Sequence, residues 1–258
     1  MDLETFDLEM RVRGWAIVEA VVTPELVGRM RGDMERAYAA CREVQLRNGV
    51  GERTPGTLHH LVGLGDSFLD YLAANPAGRY IERYFGGKYI LNSFGGNINS
   101  REFGSYANAI HRDIRTFSGE QRLLLNTLVM LDAFTADNGA TYLLAGGHRL
   151  AARPDEAFFY RHAVQAIAPA GSVLLFDSNL WHAAGVNRTE RPRRSVTPMY
   201  SRPFFKPQFD YPRALGYERA AGLPEDLRQV LGYNARVPAT LDEWYQPPER
   251  RMYRSDQG

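Results

Sequence analysis

Two side chains capable of binding a metal ion stand two residues apart in the segment His111-Arg112-Asp113. In an extended backbone, residues i and i+2 point to the same face, with their Cα atoms about 6.6 Å apart at about 3.3 Å per residue. An imidazole and a carboxylate placed in this way can reach one ion. They supply two ligands of a 2-His-1-carboxylate facial triad, which leaves three positions open on an octahedral iron. The third ligand must come from elsewhere in the chain.

Of the six histidines, His182 is the candidate for this third ligand. It follows the apolar run VLLFDSNLW, which predicts a buried strand and its exit. Arg193 stands eleven residues later (193 − 182 = 11), after a turn at residues 185–189, and this spacing predicts a hairpin that brings the arginine back beside the histidine. A guanidinium there can bind a carboxylate through two hydrogen bonds, as a dicarboxylate cosubstrate requires.

The composition is that of an ordinary globular protein, with 44% hydrophobic and 24% charged residues among 258. A formal net charge of +1 gives no overall attraction to nucleic acid or to an anionic membrane. The single cysteine, Cys41, excludes an intrachain disulfide and fits a reducing, cytoplasmic location. We find no signal peptide and no apolar run long enough for a membrane span. We therefore expect a small-molecule substrate as partner, no nucleic acid, no membrane, and a monomer or homodimer.

Helices are predicted first along the chain. Thr23 is a candidate N-cap, and Pro24 occupies the first helical position, where its missing N–H costs nothing. Apolar residues then recur at helical spacing as far as Cys41. A second helix is expected to open at Asn75-Pro76, a third covers residues 224–231, and residues 247–258 are expected to form a mobile tail.

From residue 88 onward, short apolar segments alternate with Gly, Pro and Asn turns. Many short strands of this kind favour a sandwich, a barrel or a jelly roll. The candidate strands cover residues 88–94, 122–135, 141–144, 163–168, 173–177 and 194–202.

The stretch from about Asn108 to Tyr200 resembles the phytanoyl-CoA dioxygenase family of Fe(II)/2-oxoglutarate-dependent oxygenases. The resemblance rests on His111-Arg112-Asp113 and on the segments LDAFTADNGATYLLAGGHR and GSVLLFDSNLWHAAGVNRTERPRRS. The opening GWAIVEAVVTPELVGRMRGDMERA is also similar to the family's first strand and helix. The family's usual Pro-Gly-Ser-His appears here as Ala145-Gly146-Gly147-His148, and the match is weakest over residues 45–90 and after 205.

This resemblance implies a mainly β fold with flanking α-helices around a double-stranded β-helix (jelly-roll, cupin-like) core. We expect a single domain over 1–258, with N-terminal helices at about 23–86, the core at about 88–205 and a C-terminal extension at 206–258. The implied cofactors are Fe(II), 2-oxoglutarate and O2. The residues that match the metal ligands are His111, Asp113 and His182, and those that match cosubstrate-binding positions are Arg193, Thr141 and Asn108.

The neighbouring Arg194 is the alternative partner for the cosubstrate, because strand alternation allows only one of the two arginines to point inward. The family spacing favours Arg193. Retention of Asp113, which the family's halogenases replace by a small residue, favours hydroxylation or a related oxidation over halogenation. The expected enzyme is a 2-oxoglutarate-dependent dioxygenase of specialised metabolism that releases succinate and CO2. The rivals are a metal-dependent cupin-type isomerase or cyclase that does not use 2-oxoglutarate, and a non-catalytic jelly-roll binding module.

Six residues are candidates for substrate contact, each with a structural alternative. Arg115 continues the alternation of His111 and Asp113 if the strand persists, or else forms a salt bridge at the rim. Trp181 either stacks on the substrate or packs beneath the site. Asn97 and Asn99 either line the mouth of the barrel or make turns. His59-His60 is a solvated loop pair or part of a cover over the site.

Overall fold

The computed structural model describes residues 1–103 and 106–257. The α-helices within these ranges are Leu3–Val12 (α1), Pro24–Arg47 (α2), Asp66–Ala74 (α3), Gly78–Phe85 (α4), Glu156–His162 (α5), Tyr211–Leu215 (α6), Glu225–Val230 (α7) and Leu241–Trp244 (α8). The strands are Trp15–Val18 (β1), Thr57–Leu58 (β2), Ile90–Asn99 (β3), Leu124–Met130 (β4), Tyr142–Leu144 (β5), Ala163–Gln165 (β6), Val173–Asp177 (β7), His182–Ala183 (β8) and Arg193–Ser201 (β9).

Two antiparallel sheets form the β core. The larger sheet has the strand order β1-β7-β4-β9-β3-β2, and the smaller one has the order β6-β5-β8. The longest pairing joins β3 and β9, from Ile90 opposite Ser201 to Asn99 opposite Arg193. Antiparallel strands in this arrangement, flanked by helices, form the predicted jelly-roll core.

Strand β4 shows how the layers stack, since all seven of its residues are buried. Successive side chains of a strand point to opposite faces. Leu125 and Val129 belong to the apolar cluster shared with the helices, whereas Leu128 and Met130 belong to a second cluster between the two sheets. The helices therefore cover the outer face of the larger sheet, and the inner face is left for the site.

Helix α2 supplies much of that cover. Thr23 accepts a hydrogen bond from the backbone N–H of Leu26 at 3.3 Å, with Pro24 in the first turn, as the sequence predicts. Met30 and Met34 are completely buried against the sheet. The side chain of Arg31 bonds the carbonyl oxygen of Leu131, so the helix is also held to the chain that leaves β4.

The helices differ from the prediction in number and in one boundary. The sequence-based assignment lacks α1, α3, α5, α6 and α8. Asn75 does not open a helix: it is the left-handed C-cap of α3, with φ 43°, and α4 begins at Gly78. Asn adopts this conformation more readily than other non-glycine residues, so the Asn-Pro pair marks a helix end followed by a break.

The expectation of a mobile C-terminal tail is wrong. Gln257 is 1% exposed and exchanges hydrogen bonds with Gln229, and Asp256 pairs with Lys88. The backbone N–H of Arg254 also bonds the carbonyl oxygen of Asn234 at 3.0 Å. These long-range contacts fasten the end of the chain and could not be read from its polar composition. The single-domain organisation stays a prediction.

Among the helices in the described ranges, none has an apolar stretch of the length that a bilayer crossing needs.

The turn before β7 requires a glycine at position 171. Its φ is +83°, and an added Cβ would lie 2.5 Å from the carbonyl oxygen of Val22. We expect Gly171→Ala to lower the free energy of unfolding by about 2–4 kcal/mol, because strain at positive φ and a backbone clash add. Urea denaturation measures this change.

Gly119→Ala is the matched control, because Gly119 has φ +60° with nothing within 4 Å of the added Cβ. It isolates the conformational contribution, and we expect a loss of about 1 kcal/mol. Equal losses in the two variants would contradict the close approach to Val22.

Candidate metal centre

The three predicted metal ligands come together through a backbone bridge. The N–H of His111 donates to the carbonyl oxygen of His182 at 3.0 Å, and the N–H of His182 donates back at 2.9 Å. This antiparallel pair joins the loop after residue 106 to β8. It places the two imidazole rings side by side, with their centroids 4.2 Å apart.

Asp113 reaches the same point from a bend, not from a strand. Only His111 forms a bridge, and the chain turns after it, so the predicted strand does not persist. The N–H groups of Asp113 and Ile114 both donate to the carbonyl oxygen of Ser178. The carboxylate oxygens then lie 3.5 Å from Nε2 of His111 and 3.6 Å from Nε2 of His182. The donor atoms of the three residues lie within 4.8 Å of one another, a spacing that fits one ion.

Both imidazoles are held with Nε2 turned towards the carboxylate. Nδ1 of His111 lies 2.7 Å from the carbonyl oxygen of Ala109, and Nδ1 of His182 lies 2.9 Å from that of Leu180. A carbonyl can only accept, so Nδ1 carries the proton and Nε2 keeps its lone pair. Fixing the tautomer through the other ring nitrogen is a common feature of metal-binding histidines.

The charges of the ligands depend on one another. Burial lowers the pKa of His182 to about 4, against the opposing pull of Asp113, so this ring is neutral at physiological pH. Burial also acts to lower the pKa of His111, but the hydrogen bond and charge of Asp113 raise it above its usual value. Burial would raise the pKa of Asp113, yet both histidines and Asn126 hold it below its usual value. The site is therefore a carboxylate flanked by two histidine rings.

A second layer orients the carboxylate, and the sequence analysis missed it. Asn126 of β4 donates its side-chain N–H to Asp113, and its Oδ1 accepts a bond from the hydroxyl of Ser178 at 2.7 Å. Ser178 thus binds Asp113 through its backbone directly and through its side chain by way of Asn126. The clue in the sequence is a lone asparagine inside the otherwise apolar run LLLNTLVML, where a buried polar side chain requires partners.

Arg193 lies on the inner face of β9 and is 2% exposed. Its guanidinium stacks over the ring of Phe134 at 4.0 Å, and Nη2 lies 3.5 Å from Oδ1 of Asn97. Among the described residues, none accepts a bond from its Nε or Nη1. Burial lowers the pKa of Arg193 to about 9, so a buried cation here favours an anionic ligand. Arg194 points outward and pairs with Asp132 and Glu35.

A cavity of about 300 Å³ connects the two features. Its wall includes the three metal ligands and Arg193, together with Thr141 and Asn97. A dicarboxylate fits this arrangement, because one end can reach the metal ligands while the other meets the guanidinium. The donor set and the unsatisfied arginine therefore suit both the iron and the 2-oxoglutarate that the family resemblance implies.

Of the other predicted residues, His59 and His60 lie on the cavity wall, whereas the described wall does not include Asn108, Asn99, Arg115 or Trp181. Asn108 donates to the carbonyl oxygens of Ala184 and Gly185, and Asn99 is buried and also donates to Gly185. These contacts brace the chain that leaves β8.

Arg115 and Trp181 differ from the substrate roles considered for them. Arg115 is exposed, because the chain bends after Asp113 and the alternation ends there. Trp181 is buried, and its indole N–H donates to the carbonyl oxygen of Leu150 at 2.9 Å. One face of the indole is covered by the guanidinium of Arg112, at 5.0 Å. Trp181 thus packs beneath the site.

The low pKa of His182 has a consequence for stability. Its pKa is about 4 in the folded protein, against 6.5 for an unperturbed histidine, so the unfolded chain binds more protons between these pH values. We expect the unfolding free energy of the metal-free protein to fall as pH drops from 6.5 to 4, with His182 contributing about 1.4 kcal/mol per pH unit at most. Urea denaturation in EDTA measures the slope.

His182→Phe should reduce this slope by about one proton. An unchanged slope in His182→Phe would mean that this ring titrates equally in the folded and unfolded states.

Comparison with known proteins agrees with the geometry. The family model described as phytanoyl-CoA dioxygenase (PhyH) matches residues 10–195. Uncharacterized protein Rv1501 of Mycobacterium tuberculosis (strain ATCC 25618 / H37Rv) is 40% identical over 153 residues, covering 59% of this chain and 56% of that protein. Dioxygenase trt7 of Aspergillus terreus (strain NIH 2624 / FGSC A1156) is 36% identical over 102 residues, covering 35% and 34%. The matched part is thus about half, or less, of the length of these curated relatives.

Solved structures share the fold at low sequence identity. AviO1 from Streptomyces viridochromogenes Tue57 superposes with a TM-score of 0.59 at 19% identity, covering 80% of this chain and 97% of that chain. The non-heme alpha ketoglutarate dependent epimerase SnoN from nogalamycin biosynthesis gives a TM-score of 0.57 at 18% identity, covering 77% and 82%. With the family model covering most of its length, the chain belongs to the phytanoyl-CoA dioxygenase family.

Proposed function

We propose that this protein is an Fe(II)- and 2-oxoglutarate-dependent dioxygenase that oxidises a small molecule and releases succinate and CO2. The observation that carries the proposal is the guanidinium of Arg193, buried and incompletely bonded, in the same cavity as three metal ligands. A buried arginine without a counter-ion is costly, so its place in this cavity is best explained by a carboxylate ligand.

Each group has a defined role in this proposal. His111, Asp113 and His182 hold the iron, and Asn126 fixes the direction of the carboxylate. Arg193 binds the distal carboxylate of 2-oxoglutarate, with Thr141 beside it on the cavity wall. When bound, iron and 2-oxoglutarate supply the oxidising chemistry, and the protein orients the reactants and excludes water. Asn108 supports the site from behind through its bonds to Ala184 and Gly185.

The relatives support this reaction class and the metabolic setting. Several fungal relatives carry the name dioxygenase, and SnoN is named as an alpha ketoglutarate dependent enzyme of nogalamycin biosynthesis. SnoN's description as an epimerase favours one second candidate, a 2-oxoglutarate-dependent epimerisation at the same site. Arg193 disfavours the isomerase or cyclase that uses no 2-oxoglutarate, since such an enzyme has no need for it. The product distinguishes the two candidates: a dioxygenase that hydroxylates gives a product with added oxygen, whereas an epimerase gives a product of inverted configuration and unchanged mass.

The cosubstrate site can be tested without knowing the substrate. We expect anaerobic addition of Fe(II) and 2-oxoglutarate to produce the weak visible charge-transfer band of the chelated cosubstrate. His182→Ala should abolish the band, because a ligand is lost. Arg193→Ala should raise the 2-oxoglutarate concentration needed for half-saturation by about 10–100-fold, as expected for loss of a charge-assisted hydrogen bond.

Arg194→Ala is the matched control, because this neighbouring arginine faces outward to Asp132 and Glu35. It should leave the titration unchanged. Iron binding without the band in the wild-type protein would reject 2-oxoglutarate as cosubstrate.

Loss of a direct metal ligand should have a larger effect than loss of a residue that only orients that ligand. We expect Asp113→Ala to reduce substrate-independent succinate formation by more than about 100-fold, and Asn126→Leu to weaken Fe(II) affinity by about 10–100-fold, the range for a partner of a metal ligand. Succinate release and calorimetric titration with Fe(II) measure the two effects. Full succinate formation in Asp113→Ala, without added chloride or carboxylate, would overturn the assignment of this ligand.

A further inference from the structure

Part of the cavity wall is polar and has no role in the proposed chemistry. Its outer members are His59, His60 and Gln208, and His59 and Gln208 are exposed while His60 is half-buried. Ser93 of β3 and Thr197 of β9 lie next to them on the wall. We call these five residues the cavity mouth.

His60 is held there in an unusual backbone conformation. Its φ is +56°, in the left-handed region that non-glycine residues rarely adopt. The following residue is anchored, because the N–H of Leu61 donates to the carbonyl oxygen of Phe94 at 2.9 Å. Such conformations are strained and concentrate at binding sites. The conformation turns a histidine, which has hydrogen-bonding groups, towards the cavity.

The ring of His60 is also fixed by the segment that follows the core. Phe209 stacks on it with centroids 4.1 Å apart and planes 14° apart. Nδ1 of His60 lies 3.5 Å from the hydroxyl of Tyr211, and Phe209 meets Tyr211 edge-on. The aromatic segment near residue 209 therefore serves to position a cavity residue.

His60 is neutral at physiological pH. Burial, together with the neighbouring His59, lowers the pKa of His60 to about 4. A neutral imidazole offers one N–H donor and one acceptor nitrogen. It is suited to bind a hydroxyl or a carbonyl, and it offers no charge to an anion.

The rest of the wall has the same character. Apart from the histidines, the charged residues among the described lining are Asp113 and Arg193. In the proposed function these serve the metal and the cosubstrate. What remains for the substrate is neutral, with hydroxyl and amide groups beside apolar surface, which is provided by Leu58 and Met199. A charged group placed there would lose its hydration without gaining a counter-ion.

We propose that His60 binds a hydroxyl or carbonyl oxygen of the substrate, and that the part of the substrate within the cavity is an uncharged, oxygen-bearing carbon skeleton. This inference rests on the proposed function of the same site, which assigns the two charged residues to iron and 2-oxoglutarate. It separates the substrate from amino acids and other molecules whose reacting portion is ionised.

Three probes of matched size test the inference: trans-cyclohexane-1,2-diol, cyclohexanecarboxylate and cyclohexylammonium. Each is titrated by calorimetry into protein loaded anaerobically with Fe(II) and 2-oxoglutarate. The diol is expected to bind most tightly. His60→Phe keeps an aromatic ring against Phe209 but removes the nitrogens, and should weaken diol binding about fivefold, the loss expected for one neutral hydrogen bond. His60→Asn, which tolerates positive φ and keeps a polar side chain, should lose less.

The matched control is His162→Phe, since His162 is also beside a phenylalanine (Phe158, ring centroids 4.6 Å apart) but is exposed on α5. It should leave diol binding unchanged, and all variants should keep the wild-type 2-oxoglutarate titration, which shows that they fold. Unchanged diol affinity in both His60 variants would overturn the role of His60. Tighter binding of either charged probe, or no binding of any probe, would overturn the substrate class.

The diol titration, repeated on metal-free protein, is compared with the charge-transfer titration to separate this inference from the proposed function. If Fe(II) and 2-oxoglutarate produce no band but the metal-free protein still binds the diol through His60, the substrate inference stands and the oxygenase proposal fails. If the band forms and the diol is not preferred, the oxygenase proposal stands and the substrate inference fails.

Discussion

The reciprocal backbone hydrogen bonds between His111 and His182 are the constraint on which the candidate site depends. They join segments seventy-one residues apart (182 − 111 = 71) and bring two imidazoles onto one side of the same bridge. Ser178, four residues before His182, then receives the N–H groups of Asp113 and Ile114, so the carboxylate is fixed to the same strand exit as the second histidine. The three candidate ligands are thus positioned by backbone hydrogen bonds. The segment that carries His111 and Asp113 is therefore held by backbone hydrogen bonds, as a strand in a sheet would be.

Burial of Arg193 and His182 costs folding free energy, which the rest of the fold must offset. Arg193 is a buried cation whose nearest described partners are an aromatic face and an amide oxygen, and His182 is a buried imidazole held neutral. Neither arrangement favours folding by itself. The compensation lies on the other face of the larger sheet, where α2 and its neighbours bury a continuous apolar cluster. Ligands that neutralise the site would add to stability, because they bind the folded state alone.

Much of this was accessible from the sequence, and the failures at the site and at the C-terminus share a cause. Ordered motifs identified three candidate metal ligands. Alternation in β9 predicted that only one of Arg193 and Arg194 faces inward, and the family spacing favoured Arg193, which lines the cavity. Local signals also located Thr23 as a cap and β7 almost residue for residue. What failed depended on distant contacts: the bend after His111, the anchoring of Gln257 by Gln229, and the bond between Asn126 and Asp113. None of these pairs is marked by local spacing.

Strand β9 contributes to the candidate cosubstrate site and to the cavity mouth. Its alternate residues Arg193, Ser195, Thr197 and Met199 all line the cavity wall. The guanidinium end lies within the part of the chain that most resembles the family. The mouth is completed by His59-His60 and Gln208, from the two stretches where that resemblance is weakest. Loops carried on a rigid sheet can change without disturbing the strands that support them. His60 is held by its own left-handed backbone and by Phe209. If it binds the substrate as proposed, a substitution there would change which substrates bind, while the candidate metal ligands would stay in place because the backbone bridge holds them.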